Sequence, residues 1–439
     1  EAALTSVLSQ RWRYLFTFVP NLDIDDSVFL HPEEGKREKH GILHSFMGFV
    51  DRVLALQGDS PIAKFSLKCK TGVDSDRVNQ WICNVLQRGV SDMDLSVDLG
   101  YRYQLPSEVF MSRTLVELKI GSGFSIHLQP GHNALPILKT LVLDTIWSYS
   151  GQLQMLLSAC PALENLNMPH IHWSLGNEIV SSASLKSLTT DSANFLHAFS
   201  FDTPNLLCLK YSELVAWDYP LVNLENLVEA QIKLMLTYDQ IEELRGRNDD
   251  GLEDDVFQKL GKVQKLVRGI RNVQKLYLSP GALQVLALCC QAMPTFENLT
   301  FLDIDSSMDI AWQAMPVLLR NTPHLETLVI KGGLLHGVTD KCGDACICIS
   351  REEKGRSLAS CPVKRLEIRW FEGITREMEM IKHFYDYFPC LEEMEIHVKD
   401  GRPRFLAPRV PDSDPYKDLS GRNVKVKVHG SLHRLWTAQ

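Results

Sequence analysis

The stretch Leu138-Lys139-Thr140-Leu141-Val142-Leu143 contains the pattern that decides the fold, with apolar residues at its first, fourth and sixth positions. The fourth and sixth side chains are two residues apart, so they point to the same side of a short strand. The same pattern returns in Leu163-Glu164-Asn165-Leu166-Asn167-Met168. We therefore predict a repeating unit that contributes one strand each time.

The pattern recurs along most of the chain, at intervals that mostly match the length of a leucine-rich repeat. Clear copies begin at Leu115, Leu138, Leu163, Leu206, Val273, Leu299 and Leu325. Weaker copies begin at Ile62, Val90, Leu185, Leu227, Val363 and Leu391. One such unit cannot bury its own apolar face, but stacked units share a continuous core.

Helical spacing between several of these strands completes the repeat. Leu153, Leu156 and Leu157 share one helix face, and Pro161 ends the helix before the next strand. Similar faces occur at residues 283–287 and 315–319. Because strand and helix alternate, the sequence predicts an α/β leucine-rich-repeat solenoid with a parallel concave sheet and convex helices.

Length and composition exclude several classes of protein. The chain has 439 residues, of which 45% are hydrophobic and 23% charged, and its net charge is -8. These proportions are typical of a globular protein, and the negative charge argues against general nucleic-acid binding. The apolar runs are too short to span a membrane. Eleven cysteines without framework spacing favour reduced thiols, so we expect a nuclear or cytoplasmic protein.

The N-terminal segment adds a family resemblance. Residues 2–15 and 19–26 closely resemble the second half of the F-box in plant F-box proteins with leucine-rich repeats. The resemblance continues through residues 49–58 and 62–69 and covers essentially the whole chain. Near the other end, residues 361–368 and 387–396 resemble the FBD-type module found in many of the same proteins.

The resemblance and the repeat pattern together imply a domain organisation. We predict a partial F-box helical cap at 1–26, a connecting helical segment at 27–61, leucine-rich repeats at 62–335, an inserted loop at 336–360, FBD-like repeats at 361–398 and a C-terminal tail at 399–439. In the tail, Val424, Val426 and Val428 alternate with Lys425 and Lys427. This alternation predicts a terminal strand that caps the array.

Proteins of this family act as substrate receptors of SCF-type cullin ubiquitin ligases. The resemblance implies that the F-box binds the Skp adaptor of the cullin complex and that the repeats bind a protein target. It implies neither catalysis nor a cofactor, and neither a nucleic-acid nor a membrane partner. The expected adaptor contact is the apolar stripe Leu4, Val7, Leu8, Trp12 and Leu15. The first half of the F-box, a Leu-Pro start and an amphipathic helix, would precede Glu1.

Two other interpretations stay open. The same stripe would suit a helix that covers the first repeat, and the protein would then be a non-ligase interaction scaffold that has lost a working F-box. A receptor gated by a small molecule would need Lys and Arg concentrated at strand positions, which the sequence does not contain. The residues that read a target occupy variable positions and the inserted segments 245–255 and 331–360, so the target stays unknown.

The sequence contains one weak candidate for a metal site. Cys342, Cys346 and Cys348, with Cys361 and His336 nearby, form the best metal set. Their Cys-x3-Cys-x-Cys spacing is not the paired arrangement of a zinc site, so we expect no bound metal.

Two further segments contain residues that could bind an ion. His170 and His172 follow a repeat strand without a second ligand pair. The acidic segment 249–255 lacks the alternating oxygen ligands and terminal Glu of an EF-hand. The histidines are interpreted as ordinary loop sequence. The acidic segment is interpreted as a solvated charged insertion, with docking of a basic target segment as the alternative.

Overall fold

A computed structural model describes residues 18–27, 39–69, 73–97, 103–121, 124–125, 128, 134–174, 176–192, 194, 196–236, 254–289, 293–306, 314–332, 355–371, 375–399 and 424–429. The chain divides into two compact units, Glu1–Leu206 and Leu207–Gln439. In the described part of the chain, no helix is both long and apolar enough to cross a membrane.

The N-terminal unit is built on strands that pair in parallel. Its strands are β1 (Asn21–Asp25), β2 (Lys64–Cys69), β3 (Asp92–Val97), β4 (Tyr103–Gln104), β5 (Glu117–Gly121), β6 (Phe124–Ser125), β7 (Thr140–Asp144), β8 (Trp147–Ser148), β9 (Asn165–Met168), β10 (His172–Trp173), β11 (Asn177–Ser181), β12 (Ser187–Asp191) and β13 (Ala198–Asp202). The main sheet runs β1-β2-β3-β5-β7-β9-β12, and β4-β6-β8-β10 form a second, smaller sheet.

The strand register matches the repeat pattern of the sequence. Leu118 pairs with Leu141, which pairs with Leu166, which in turn pairs with Leu188. These side chains are almost completely buried. The middle apolar position of each repeat therefore forms one continuous row of the core, as the pattern predicts.

Helices cover part of the same unit: α1 (Lys39–Gln57), α2 (Ser75–Gln87) and α3 (Gln152–Ala159), with a 3-10 turn at Ser107–Met111. The Asp74 carboxylate caps α2 by accepting from the backbone N–H groups of Asp76 and Arg77. Trp81 of α2 donates its indole N–H to Oδ1 of Asp51 on α1 at 2.7 Å. The two helices are thus joined by a partly buried hydrogen bond.

The predicted alternation of strand and helix is wrong in part of this unit. The segment between β9 and β12 contains strand β11, and the segment after β12 contains strand β13. These two strands pair in parallel. The repeats here are short, and their return segments contain Ile179, Val180, Phe199 and Phe201. Branched and aromatic side chains favour extended backbone, so strands replace the expected convex helices.

The C-terminal unit keeps helices between most of its strands. Its strands are β14 (Cys208–Leu214), β15 (Val222–Asn223), β16 (Glu229–Met235), β17 (Lys275–Leu278), β18 (Phe301–Asp305), β19 (Thr327–Lys331), β20 (Arg365–Phe371), β21 (Glu393–Val398) and β22 (Lys425–His429). Its helices are α4 (Asp254–Gly269), α5 (Pro280–Cys289), α6 (Met315–Arg320), α7 (Arg356–Ala359) and α8 (Thr375–Tyr387). The sheet order is β14-β16-β17-β18-β19-β20-β21-β22, and the predicted helical faces at 283–287 and 315–319 lie in α5 and α6.

The core row of this unit repeats the same geometry. It consists of Leu276, Leu302, Leu328, Leu366 and Met394, each paired with the next. Val426 of β22 pairs with Met394 and is half-buried. The predicted terminal strand is therefore present, and it lies parallel to β21. Strand β1 precedes Ile62 and β22 follows Val398, so the parallel strands extend beyond the predicted repeat span. The predicted α/β leucine-rich-repeat class is confirmed.

Four residues at one repeat position have left-handed backbone. Thr145, His170, Gly332 and Trp370 have φ values of 53°, 54°, 88° and 63°. Each lies two positions after a core residue of its strand. For Thr145, His170 and Gly332 that residue is the last core residue, and the left-handed conformation turns the backbone out of the sheet. Trp370 instead lies inside β20, at the register shift between Arg369 and the buried Phe371.

Candidate functional site

The predicted adaptor stripe lies outside the described residues. Leu4, Val7, Leu8, Trp12 and Leu15 all precede Phe18, where the described chain begins. Their role as the adaptor contact therefore stays a prediction.

The cysteine-rich metal candidate is likewise only partly described. His336, Cys342, Cys346 and Cys348 lie outside the described residues, whereas Cys361 is fully buried just before β20. Burial raises the pKa of the Cys361 thiol to about 11, because a thiolate is poorly solvated there. Thiolate is the form that binds metals, so Cys361 behaves as a core residue.

The two histidines after β9 have different surroundings. His170 is exposed, and the His172 ring stacks on Trp147 with 4.8 Å between ring centroids. Neither belongs to a group of three possible ligands within the described part of the chain. His170 lies in a turn, as loop sequence predicts, whereas His172 lies in strand β10.

The outward side chains of β1, β2, β3 and β5 form a mainly acidic surface in the N-terminal unit. Its charged residues are Asp23, Asp25, Lys64, Lys68, Asp92, Asp94, Glu117 and Lys119. Lys64 contacts Asp92 at 2.9 Å and Lys119 contacts Glu117 at 2.7 Å. The hydrogen bond to Asp92 raises the pKa of Lys64, and that to Glu117 raises the pKa of Lys119. Carboxylates outnumber ammonium groups here, so this surface favours a basic partner.

The outward side chains of β20, β21 and β22 form a second surface, which we name the charged ladder. It consists of Arg365, Glu367, Arg369, Glu393, Glu395, His397, Lys425, Lys427 and His429. Register places these residues in three rows across the strands: Arg365-Glu393-Lys425, Glu367-Glu395-Lys427 and Arg369-His397-His429. Their strand neighbours, such as Ile368 and Ile396, point into the core, because alternate residues of a strand face opposite sides.

Lys427 is the centre of charge pairing in the ladder. Its Nζ lies 2.5 Å from Oε1 of Glu393 and 2.8 Å from Oε1 of Glu395. These hydrogen bonds lower the pKa of both carboxyls and raise the pKa of the Lys427 ammonium group. Arg365 adds a contact of 3.2 Å between its Nε and Oε2 of Glu393.

The third row brings imidazole and carboxylate groups together. Nε2 of His397 lies 3.2 Å from Oε1 of Glu367 and 3.8 Å from Oε2 of Glu395. The rings of His397 and His429 stack with centroids 4.6 Å apart. Arg369 contacts Glu367 at 2.7 Å, and this contact raises the pKa of the guanidinium group.

Sequence reasoning did not single out this cluster. Glu395 and His397 belong to the template copy that begins at Leu391, and His429 belongs to the terminal strand. The available signal was their alternation with core residues, which assigns Glu395, His397 and His429 to outward positions. The register between the two strands is what places them side by side, and it follows from no local motif.

A separate cleft of about 470 Å³ lies beside the end of α4. Lys265, Arg268 and Arg271 line it together with Glu225. Lys265 also contacts Asp218 at 2.9 Å, and this hydrogen bond lowers the pKa of the Asp218 carboxyl. The lining comes from α4, β15 and adjacent loops and not from the outward positions of the main sheet, where a small-molecule-gated receptor would need its basic pocket.

The repeated parallel strands, their shared apolar core and their charged outward rows define a leucine-rich-repeat protein. A family model described as the leucine-rich repeats of the FBD-associated F-box protein At5g56370 matches residues 78–222. The chain is 67% identical over 437 residues to the putative F-box/LRR-repeat protein At3g58880 of Arabidopsis thaliana. The aligned region covers 98% of this chain and 95% of that relative.

Two further relatives from Arabidopsis thaliana match the whole chain. The F-box protein At3g59000 is 54% identical over 452 residues, which cover 100% of this chain and 92% of that relative. The F-box/LRR-repeat protein At3g58930 is 51% identical over 459 residues, which cover 100% and 95%. The chain belongs to the plant F-box/leucine-rich-repeat family, and the family resemblance read from the sequence is confirmed.

Proposed function

We propose that this protein is the substrate-recognition subunit of an SCF-type cullin ubiquitin ligase. In this proposal the F-box binds the Skp adaptor, and the adaptor connects it to the cullin complex. The repeats bind a protein target. The observation that carries the proposal is 67% identity across 98% of the chain with a relative named for both an F-box and leucine-rich repeats. The chain itself would transfer no ubiquitin, because other subunits of the ligase carry that chemistry.

The outward surfaces of the repeats support a role in target binding. Core positions keep apolar residues, most often Leu, Ile and Met, whereas the outward positions change between acidic, basic and neutral residues. Such positions contribute little to the shared core, so their side chains are available for recognition. The acidic surface of β1, β2, β3 and β5 and the charged ladder are the two places where we expect a target to bind.

The adaptor half of the proposal rests on the apolar stripe that contains Trp12. A buried Trp is enriched among interface anchors, and its truncation commonly costs more than about 2 kcal/mol, or more than about tenfold in affinity. We expect the protein with a complete F-box to bind the Skp adaptor tightly and Trp12→Ala to weaken that binding by more than about tenfold. The chain that begins at Glu1 should bind no better than this variant.

The experiment measures adaptor binding by calorimetry on those three proteins and on a matched control. Trp147→Ala removes a partly exposed Trp from the repeats and should leave adaptor affinity unchanged. Equal binding by the protein with a complete F-box, its Trp12→Ala variant and the chain that begins at Glu1 would assign the stripe to the repeat cap. The interaction-scaffold alternative would then be preferred.

The proposal also has a cellular component. A receptor of this ligase class would work in the nucleus or the cytoplasm, where its partner subunits are found. Fluorescence imaging of the tagged protein tests this expectation. A signal confined to the secretory pathway would contradict it.

A further inference from the structure

We propose that Glu395, His397 and His429 form a binding site for a divalent transition-metal ion, with Zn²⁺ the best match, between the two last strands of the charged ladder. The possible ligand atoms of these three residues lie within 4.8 Å of one another. Two of the residues come from β21 and one from β22, so a bound ion would join the two strands.

The strongest single observation is the environment of His397. Its Nε2 is shielded from solvent and has no hydrogen-bond partner among the residues that the structure describes. Oε1 of Glu367 is only 3.2 Å away, but the arrangement of the two groups is not that of a hydrogen bond. A shielded nitrogen without a partner, facing carboxylate oxygens, is the environment in which an ion or water is expected.

The neighbouring cations orient the carboxylates instead of occupying the site. Lys427 contacts Oε1 of Glu395 at 2.8 Å, while Oε2 of the same residue faces Nε2 of His397 at 3.8 Å. Arg369 holds Glu367 through a contact of 2.7 Å. Such outer contacts fix the direction of ligating groups in metal sites. Lys427 is thus a positioning residue. Arg369 contacts the same Oε1 of Glu367 that faces Nε2 of His397, so Glu367 is not counted among the ligands.

The donor set selects the class of metal. Two imidazoles and a carboxylate suit zinc, whose bonds to nitrogen and oxygen are about 2.0 to 2.2 Å long. Tetrahedral geometry with such bonds places ligand atoms about 3.3 Å apart. The distances between the ligand atoms, which are at most 4.8 Å, must therefore shorten by up to about 1.5 Å. Side-chain rotation can supply this change because His429 is exposed and His397 is half-buried. Calcium and magnesium prefer all-oxygen sites, and the adjacent Lys427 and Arg369 further disfavour them.

The test titrates the whole chain with ZnCl2 in a calorimeter and compares His397→Gln and His429→Gln with a matched control. His324→Gln is that control: His324 lies 3.9 Å from Glu297, but within the described residues it belongs to no group of three possible ligands. We expect one equivalent of Zn²⁺ at this site, affinity at least about tenfold lower in the two ladder variants, and unchanged affinity in the control. Circular dichroism without metal checks that every variant is folded.

A second arm separates this site from the cysteine-rich segment. Cys346→Ser should leave the ladder equivalent of Zn²⁺ in place, and Co²⁺ bound at the ladder should lack a thiolate-to-metal charge-transfer band. No Zn²⁺ binding by the unmodified chain would overturn the proposal. So would unchanged binding by folded His429→Gln, or a complete loss of binding in Cys346→Ser.

Discussion

The Nζ atom of Lys427 lies 2.8 Å from Oε1 of Glu395, so β22 is tied to β21 by a charged contact in addition to the parallel strand pairing. The same Nζ contacts Glu393 at 2.5 Å. One lysine therefore neutralises two carboxylates that would otherwise repel each other on adjacent outward positions of β21. β22 has only half-buried apolar residues, which makes this charged contact important for holding it in register.

We expect Lys427→Met to loosen β22 and to speed hydrogen exchange at its backbone amides. The substitution removes the shared cation and leaves Glu393 and Glu395 facing each other. Lys425→Met is the matched control, because Lys425 is more exposed and contacts Glu393 only at 3.9 Å. Exchange rates in β22 that rise equally in both variants would contradict a specific role for Lys427.

The same contact predicts a pH window for β22. The pKa values of Glu393 and Glu395 are lowered from 4.5, so their stabilising effect is present above that value and is lost as the pH falls through the lowered pKa values. The pKa of Lys427 is raised from 10.5, so its effect is present below that value and is lost as the pH rises through the raised pKa. Exchange of the β22 amides, corrected for intrinsic rates, should be slowest between these limits. In Lys427→Met this pH dependence should be reduced.

Glu178 on β11 predicts a second pH effect, of opposite sign. Its side chain is 3% exposed, its Oε1 has no hydrogen-bond partner in the described part of the chain, and burial raises its pKa to about 7. A raised carboxyl pKa means that folding disfavours the ionised form, so stability falls as the pH rises from 4.5 to about 7. Because the neutral amide of Gln cannot ionise, Glu178→Gln should raise the free energy of unfolding by about 3 kcal/mol near pH 8.

The measurement is urea unfolding of both proteins near pH 4 and near pH 8, with the advantage of Glu178→Gln expected at the higher pH only. Glu164→Gln is the control, since Lys186 lowers the pKa of the Glu164 carboxyl and neutralisation should bring no gain. An equal difference at both pH values would show that Glu178 acts through packing instead of ionisation.

Leu141→Ala should lower the free energy of unfolding by roughly 2 to 5 kcal/mol, the range for truncation of a buried Leu. Leu141 is fully buried in the core row and is paired on both sides, with Leu118 and Leu166. Its neighbour Val142 faces outward and is half-buried, so Val142→Ala should cost less than about 1 kcal/mol. Chemical denaturation of the two variants distinguishes the core row from the outward row, and similar losses would mean that the register is misassigned.

The sequence predicted those features of the fold that depend on residues close together in the chain. The apolar pattern at Leu138, Leu141 and Leu143 is local, and so is the helical spacing at 283–287. The return strands β11 and β13 were missed because burial of Phe199 and Phe201 overrides the expectation of a helix in every repeat.

The features of the candidate site that were missed depend on contacts between distant segments. The sequence marks Glu395 and His397 only as outward residues of one strand. Their contact with His429 depends on the register between β21 and β22, and the segment that joins these strands is 26 residues long and has no repeat pattern. Apolar periodicity identifies which side a residue faces, but it cannot identify the neighbour on the next strand.

The left-handed position at the end of the strands gives a final prediction. His170 has φ of 54°, and Gly332 has φ of 88° at the equivalent position of another repeat. For a residue with a Cβ atom, this backbone conformation costs roughly 1 to 2 kcal/mol of stability. Glycine adopts it without that cost, but its more flexible unfolded chain lowers the stability by about 0.5 to 1 kcal/mol. Because the His170 side chain is exposed and packs little, we expect His170→Gly to raise the free energy of unfolding by about 0.5 to 1 kcal/mol.

His170→Ala keeps the Cβ atom and is the control for loss of the imidazole, so it should bring no gain. The reciprocal change Gly332→Ala should destabilise the protein by about 1 kcal/mol or more, because it introduces a Cβ atom at the same left-handed position. Urea unfolding of the three variants measures these differences. If His170→Gly and His170→Ala changed stability by the same amount, the left-handed backbone would not be a source of strain in these repeats.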